Sequence, residues 1–101
     1  MLTIKRGDTG IGIKATLSNA KGCLDLTGAT VRFIYRNAAM PVEIVDAKNG
    51  VVNVYFQRVH TDKTGIYLAE FEVQFNDGRV ETFPSDGYLR IKIMDDLGGV
   101  S

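Results

Sequence analysis

Apolar and polar side chains alternate along much of this chain. The clearest run is the segment 67–75, whose odd positions are aromatic or aliphatic and whose even positions are Leu68, Glu70, Glu72 and Gln74. A strand sends successive side chains to opposite faces, whereas a helix would scatter these carboxylates around its surface. The pattern therefore predicts a long strand with its odd-numbered side chains in a core and the others mostly in water.

The same period of two predicts further strands. They are expected within the segments 2–6, 11–17, 30–36, 52–56 and 89–93. Pro41 cannot donate a ladder hydrogen bond, so the segment from Val42 to Val45 is expected at a sheet edge. The polar segment from Gln57 to Thr64 is expected to cross between two sheets, with room for a single helical turn.

Asp77 and Gly78 separate the long strand from the next alternating run. An Asp-Gly pair suits a two-residue type I′ turn, because both central positions of that turn have a positive φ. The facing pairs predicted by this loop are Asn76 with Arg79, Phe75 with Val80 and Val73 with Thr82, and on the other face Gln74 with Glu81 and Glu72 with Phe83.

Upstream of the long strand, Asp62, Gly65 and Tyr67 have the spacing D-x-x-G-x-Y. This is similar to the tyrosine corner of immunoglobulin-like sandwiches, in which the tyrosine hydroxyl bonds to preceding backbone. With roughly seven or eight short strands and no amphipathic helix, the sequence predicts an all-β fold, an antiparallel immunoglobulin-like β-sandwich over residues 1–94. A small barrel is the alternative. Residues 95–101 are expected to form a flexible tail or linker.

The charges balance, with 12 basic and 12 acidic residues in a chain of 101 residues. A neutral chain has no long-range field to attract nucleic acid or anionic lipid, so neither is an expected partner. Cys23 is the single cysteine, so no internal disulfide can form, which fits synthesis in a reducing cytoplasm. The N-terminus lacks the order of a signal peptide, and no apolar run approaches the roughly 20 residues of a membrane span.

Residues suited to catalysis are few and dispersed. His60 is the sole histidine, and without a G-x-S-x-G motif it is interpreted as a solvated loop residue. Glu70, Glu72 and Glu81 are expected on an open sheet face, where nothing desolvates them. One cysteine and one histidine cannot supply the usual zinc ligands, so no zinc site is expected. Catalysis needs several converging groups, which the sequence does not indicate, so no cofactor and no enzymatic activity are expected. The acidic residues do not have EF-hand spacing, and a calcium ion held by loops from distant strands stays an open alternative.

Outward-facing residues supply the candidates for contact with a partner, which are Arg32, Ile34, Arg36, Tyr55 and Tyr88. The first three form a mixed patch that is either an ordinary sheet surface or the rim of a protein contact, where arginine is enriched. The two tyrosines, together with Phe83, are expected to point outward, as aromatic residues do in sugar-binding sandwiches. Aromatic residues also simply suit half-buried strands, and the chain has no tryptophan.

The order of several short motifs resembles a known family. The motifs are KRGDTG at 5–10, LDLTGATVRF at 24–33, a G-x-V strand start at 50–52, TGIY-A-E at 64–70, the N-D-G hairpin at 76–78 and P-S-x-G at 84–87. This order is similar to the amino-terminal immunoglobulin-like domain of phage baseplate upper proteins, and it extends from Ile4 to Ile93.

The resemblance implies a virion protein of the phage tail, made in the bacterial cytoplasm, that links the baseplate to receptor-binding proteins. It implies other tail or baseplate proteins as partners, self-assembly in symmetric rings, and no catalytic residues. In that family the domain is followed by further segments. A carbohydrate-binding module with a glycan ligand and a cell-surface adhesion domain are the alternative functions.

Overall fold

The structure is a computed structural model in which residues 2–8, 10, 12–84 and 87–95 are described. Within these residues the fold is all-β and compact, with sheets arranged as in a β-sandwich and one 3₁₀ turn at Arg58–His60. The strands are β1 (Leu2–Lys5), β2 (Gly12–Thr16), β3 (Ser18–Asn19), β4 (Gly22–Cys23), β5 (Thr30–Tyr35), β6 (Ala38–Pro41), β7 (Glu43–Asp46), β8 (Val51–Tyr55), β9 (Gly65–Gln74), β10 (Val80–Phe83) and β11 (Leu89–Met94).

Strand β9 is the centre of the larger sheet. The order of that sheet is β1-β11-β9-β5-β6, and β10 also pairs with β9. Strand β11 lies beside the first half of β9 and β10 beside its second half, because the chain leaves the ladder between them. A smaller sheet has the order β2-β8-β7, and β3 and β4 form a separate short hairpin. The two main sheets keep separate edges, as in a sandwich and unlike a closed barrel.

The larger sheet is mixed, whereas the sequence predicted antiparallel pairing throughout. Strand β1 runs parallel to β11, with Leu2 beside Ile91. Parallel neighbours need a long connection, and here almost the whole chain lies between the two strands. The described part of the chain also has more strands than the seven or eight expected, since the short hairpin Ser18–Cys23 and the edge strand Ala38–Pro41 were not predicted.

The predicted alternation is confirmed in β5, β8, β9 and β11. Their inward side chains fill the space between the sheets, and Phe33, Val52 and Val73 have no exposed surface. Phe33 packs against Phe71 with ring centroids 4.8 Å apart and meets Phe56 from the smaller sheet edge-on. The edge position predicted for the segment after Pro41 is also confirmed, because β7 lies at one edge of the smaller sheet.

The predicted register of the β9–β10 hairpin is wrong by one residue. The N–H of Phe75 donates to the carbonyl of Arg79 at 2.8 Å, so the loop contains three residues, and its last residue, Gly78, has φ +92°. A one-residue shift exchanges the two faces of a strand. Phe83 therefore pairs with Phe71 and is buried, and Glu81 pairs with Val73. Neither residue lies on the outward face that the sequence predicted for it.

The connection from β8 to β9 contains a 3₁₀ turn at Arg58–His60, in the segment for which the sequence left room for a helical turn. After this turn, the hydroxyl of Tyr67 donates to the carbonyl oxygens of Lys63 at 3.0 Å and Thr64 at 3.2 Å. The backward hydrogen bond predicted from the D-x-x-G-x-Y spacing is therefore confirmed. It fixes the start of β9 against the connection that precedes it.

Candidate functional site

The outer face of the larger sheet carries apolar side chains that contact water. Ile66 is 59% exposed, Leu68 51% and Tyr88 60%, while Ile34 on the neighbouring strand is half-buried. Ile66 and Leu68 point outward because the next odd positions of β9, beginning at Ala69, point into the core. We call Ile34, Ile66, Leu68 and Tyr88 the apolar face.

These four residues line an open concavity of about 290 Å³, together with polar residues that include Arg36, Asn37 and Glu70. The volume lies near the lower end of the range for small-molecule pockets, which is about 300–1,000 Å³. The lining of the concavity is about equally polar and apolar, and a hollow of this size has room for one or two aliphatic side chains.

Arg36 forms one corner of the concavity and is held by hydrogen bonds. It follows β5 in a two-residue loop in which Arg36 has φ +53° and Asn37 has φ +62°. Its Nη1 donates to Asp62 Oδ1 at 2.8 Å and to the carbonyl oxygens of Val59 and His60, each at 3.2 Å. Its guanidinium carbon lies 5.0 Å from the ring centre of Tyr67. Arg36 therefore connects the β5–β6 turn to the segment before β9.

The pKa values of Arg36, Asp62 and His60 are each shifted by the surroundings of these groups at this corner. The hydrogen bond from Arg36 lowers the pKa of the Asp62 carboxyl, and the same bond raises the pKa of Arg36. Burial and then the charge of Arg36 lower the pKa of His60, against a smaller opposing effect of Asp62. The pair at this corner is charged, while the histidine beside it is favoured in its neutral form.

His60 lies in the loop, as the sequence predicted, but it is only partly exposed and its polar atoms have partners. Its Nδ1 accepts a hydrogen bond from the backbone N–H of Gln57 at 2.9 Å, and its carbonyl oxygen accepts one from the Tyr35 hydroxyl at 2.7 Å. Its ring meets Tyr35 and Phe56 edge-on. The histidine thus stabilises the turn between the two sheets, because its ring nitrogen and its backbone carbonyl both accept hydrogen bonds.

The structure brings three of the five candidate contact residues together. Ile34, Arg36 and Tyr88 all line the concavity. Arg32 lies farther along β5, where it donates to Glu72 on the outer face of β9. Tyr55 is 52% exposed but belongs to the smaller sheet, so it does not share a surface with Tyr88.

Ile66 and Leu68 were not among the contact residues predicted from the sequence. Leu68 occupies a position that was expected to face water, and Ile66 lies just before the alternating run from Tyr67 to Phe75. Whether Ile66 and Leu68 form a patch depends on the lateral order of the strands. Ile34 and Tyr88 are close to them only because β5 and β11 lie on either side of β9.

In the described part of the chain no group of three or more histidine, cysteine, aspartate or glutamate side chains could hold a metal ion. Cys23 is exposed on β4, away from the concavity. The described residues include no helix of the length and apolar character needed to cross a membrane.

The chain was also compared with known proteins. A scan against protein-family models finds no family that matches it. A search of curated proteins finds no match.

Proposed function

We propose that this chain is a structural module of a bacteriophage tail or baseplate, with an immunoglobulin-like sandwich that joins other tail proteins and links them to receptor-binding proteins. The module works by protein–protein contact and not by catalysis. It acts in the virion after synthesis in the bacterial cytoplasm. The order of motifs between Ile4 and Ile93 supports the family, and the tyrosine corner at Tyr67 supports the immunoglobulin-like form of the sandwich.

The observation that carries the proposal is the apolar face. Ile66, Leu68 and Tyr88 are each more than half exposed and lie around one hollow, which costs solubility unless a partner covers them. Strand β9 holds Ile66 and Leu68 in place through its ladder with β11, and its ladder with β5 begins at Ala69. An exposed apolar surface with polar residues at its rim is suited to a protein contact.

The experiment mixes the purified chain with purified tail and baseplate proteins and measures mass by light scattering after size exclusion. We expect a complex that is lost in the variant Leu68→Ser with Tyr88→Ala. The matched control is Val80→Ser with Tyr55→Ala, since these residues are 56% and 52% exposed and neither lines the concavity. The proposal fails if no tail component forms a complex, or if both variants bind as the unchanged chain does.

A carbohydrate-binding module is the second candidate, supported by the position of Tyr88. An exposed tyrosine ring stands at a hollow that also has the amide of Asn37 and the carboxylate of Glu70, which are groups that bond to sugar hydroxyls. A glycan array discriminates the two functions. Specific binding that is lost in Tyr88→Ala and retained in Tyr55→Ala favours the glycan, whereas an array without any signal leaves the assembly module as the better proposal.

A further inference from the structure

We propose that the open edge of β2 binds an extended peptide segment of a partner protein, in which apolar and acidic residues alternate, as an additional strand of the smaller sheet. The inference adds a peptide-binding surface to the assembly module proposed above. This surface shares no lining residue with the concavity at the apolar face, so it does not depend on that contact.

Strand β2 is an edge strand with one unpaired side. Its single neighbour among the described strands is β8, and the β2–β8 ladder has a continuous register without a bulge. In the continuation of this register, the N–H of Leu17 donates to the carbonyl oxygen of Gly50. Hydrogen-bonded and non-hydrogen-bonded pairs alternate in an antiparallel ladder. Ala15 therefore bonds to β8, whereas the backbone groups of Lys14 and Thr16 point to the open side, where an added strand can bond to them.

An apolar groove lies beneath this edge, between the two sheets. It consists of a hollow of about 260 Å³ near the end of β2 and a hollow of about 150 Å³ between β2 and the strands β1 and β11. Ala15 and Phe83 line the first, Ile13 and Leu2 line the second, and Leu89 lines both. Both linings are mostly apolar, so each hollow suits an aliphatic side chain. We call these two hollows the edge groove.

The geometry of β2 determines which side chains of an added strand enter the edge groove. Ile13 and Ala15 point inward and pack against the core, whereas Lys14 and Thr16 are exposed on the outer face. Side chains of neighbouring strands alternate between the same two faces. Every second residue of the added strand therefore faces the edge groove and is expected to be apolar, and the others lie on the outer face beside Lys14.

The strands beside the edge groove are basic. Strands β1, β2 and β11 contain Lys5, Lys14, Arg90 and Lys92 and no carboxylate. These cations are exposed, and in the described part of the chain none of them forms an ion pair. Glu81 of the nearby strand β10 lines a different hollow. Opposite charges on cross-strand neighbours are favourable, so the outward residues of the added strand are expected to be acidic.

The test titrates the full chain into a fluorescently labelled peptide of about seven residues in which valine alternates with glutamate, long enough as a strand to pass along all of β2. Fluorescence anisotropy measures the dissociation constant. One matched peptide has lysine in place of glutamate, and another has serine in place of valine. We expect saturable binding of the glutamate peptide, and binding at least about tenfold weaker for each matched peptide.

Substitutions in β2 test the charge and the open edge separately. Lys14→Glu is expected to weaken binding of the glutamate peptide about threefold or more and to strengthen binding of the lysine peptide, an exchange that misfolding cannot imitate. Lys63→Glu is the matched control, because this exposed cation lines neither hollow, and it should change neither affinity. Thr16→Pro removes an N–H on the open side without removing a bond to β8, so we expect a retained fold by circular dichroism and lost binding.

Hydrogen exchange distinguishes an added strand from a contact through apolar side chains alone. At saturation with the glutamate peptide, the amide hydrogens of Lys14 and Thr16 should exchange at least about tenfold more slowly. The amide hydrogen of Ala15 is already bonded to β8, so its exchange should slow less.

The inference is overturned if the glutamate peptide does not bind at about 1 mM, if the lysine peptide binds equally well, or if Lys14 and Thr16 gain no protection from exchange. A folded Thr16→Pro variant that binds as the unchanged chain does also overturns it. Leu68→Ser with Tyr88→Ala should retain peptide binding, because these residues line neither hollow of the edge groove. Since the complex with tail proteins is tested through that same variant, failure of the peptide and failure of the proposed function are distinguishable.

Discussion

Arg36 and Asp62 join two parts of the chain that are distant in sequence. The guanidinium nitrogen Nη1 lies 2.8 Å from Asp62 Oδ1, and the same nitrogen reaches the carbonyl oxygens of Val59 and His60. Since Arg36 also stacks on Tyr67, a single side chain fixes the turn after β5, the crossing segment and the start of β9. This corner also bounds the concavity at which a partner is expected.

Replacing Arg36 by alanine is expected to lower the free energy of unfolding by about 1–2 kcal/mol, because three charge-assisted hydrogen bonds are lost. Arg32→Ala is the control. Arg32 also forms one ion pair, with Glu72, but half of its side chain is exposed, and such pairs contribute about 0–1 kcal/mol. Urea unfolding, monitored by tyrosine fluorescence, measures the free energy of unfolding of both variants. Equal effects of the two substitutions would contradict a structural role specific to Arg36.

Tyr67→Phe removes only the hydroxyl that donates to the carbonyl oxygens of Lys63 and Thr64. We expect a loss of about 1 kcal/mol in the free energy of unfolding, the usual net value of a hydrogen bond. Tyr88→Phe is the matched control, and no change is expected because its ring is 60% exposed. A stability of Tyr67→Phe equal to wild type would show that the tyrosine corner contributes nothing here.

Strand positions could be predicted from the sequence because one face of each strand is buried. The hairpin register could not, since Asp-Gly suits both a two-residue loop and a three-residue loop that ends in a left-handed glycine. The burial of Phe83 against Phe71 accompanies the longer loop. The two-residue loop with two positive φ values instead occurs at Arg36 and Asn37, where no glycine indicates it.

The candidate site was predicted only in part, for a related reason. Ile34 was visible as an apolar residue between two arginines, and Tyr88 as an exposed ring. Their proximity depends on β9 lying between β5 and β11, and a period of two within each strand contains no information on lateral neighbours. The partial burial of His60 was likewise not visible in the sequence, because it depends on the rings of Tyr35, at the end of β5, and Phe56, just after β8, meeting the turn in the folded chain.

The observed hairpin register has a direct test in Phe83. This side chain is 6% exposed, so Phe83→Ala is expected to cost about 3 kcal/mol or more, as large-to-small substitutions in cores do. Tyr55→Ala is the control, and we expect it to cost under about 1 kcal/mol because this ring is 52% exposed. Denaturant unfolding of both variants measures the two losses in the free energy of unfolding. Similar small losses would favour the shorter loop, in which Phe83 points outward.

Gly50 is expected to tolerate no side chain. Its φ is +70°, and a Cβ atom there would lie 2.5 Å from the carbonyl oxygen of Leu17 and 2.8 Å from that of Leu24. Gly7 has a similar φ of +82° but nothing within 4 Å of its Cβ position. Gly7→Ala should therefore cost about 1–2 kcal/mol, the cost of the left-handed conformation, and Gly50→Ala several kcal/mol more. Thermal unfolding compares the two, and equal melting temperatures would contradict the close packing at Gly50.

The stability of the chain is expected to fall in mildly acidic solution because of His60. Its pKa is lowered from 6.5 in the folded chain, so the unfolded chain binds the proton more readily. The contribution of the neutral ring is therefore complete above the unfolded pKa and is lost as pH falls through the folded pKa. Protonation of Nδ1 would also remove the acceptor of the Gln57 N–H. Urea unfolding at about pH 7.5 and about pH 5.5 measures the change. His60→Asn retains an acceptor without a titrating ring, so this variant should lose most of the difference between the two pH values. A difference of the same size in His60→Asn would assign the effect to other groups.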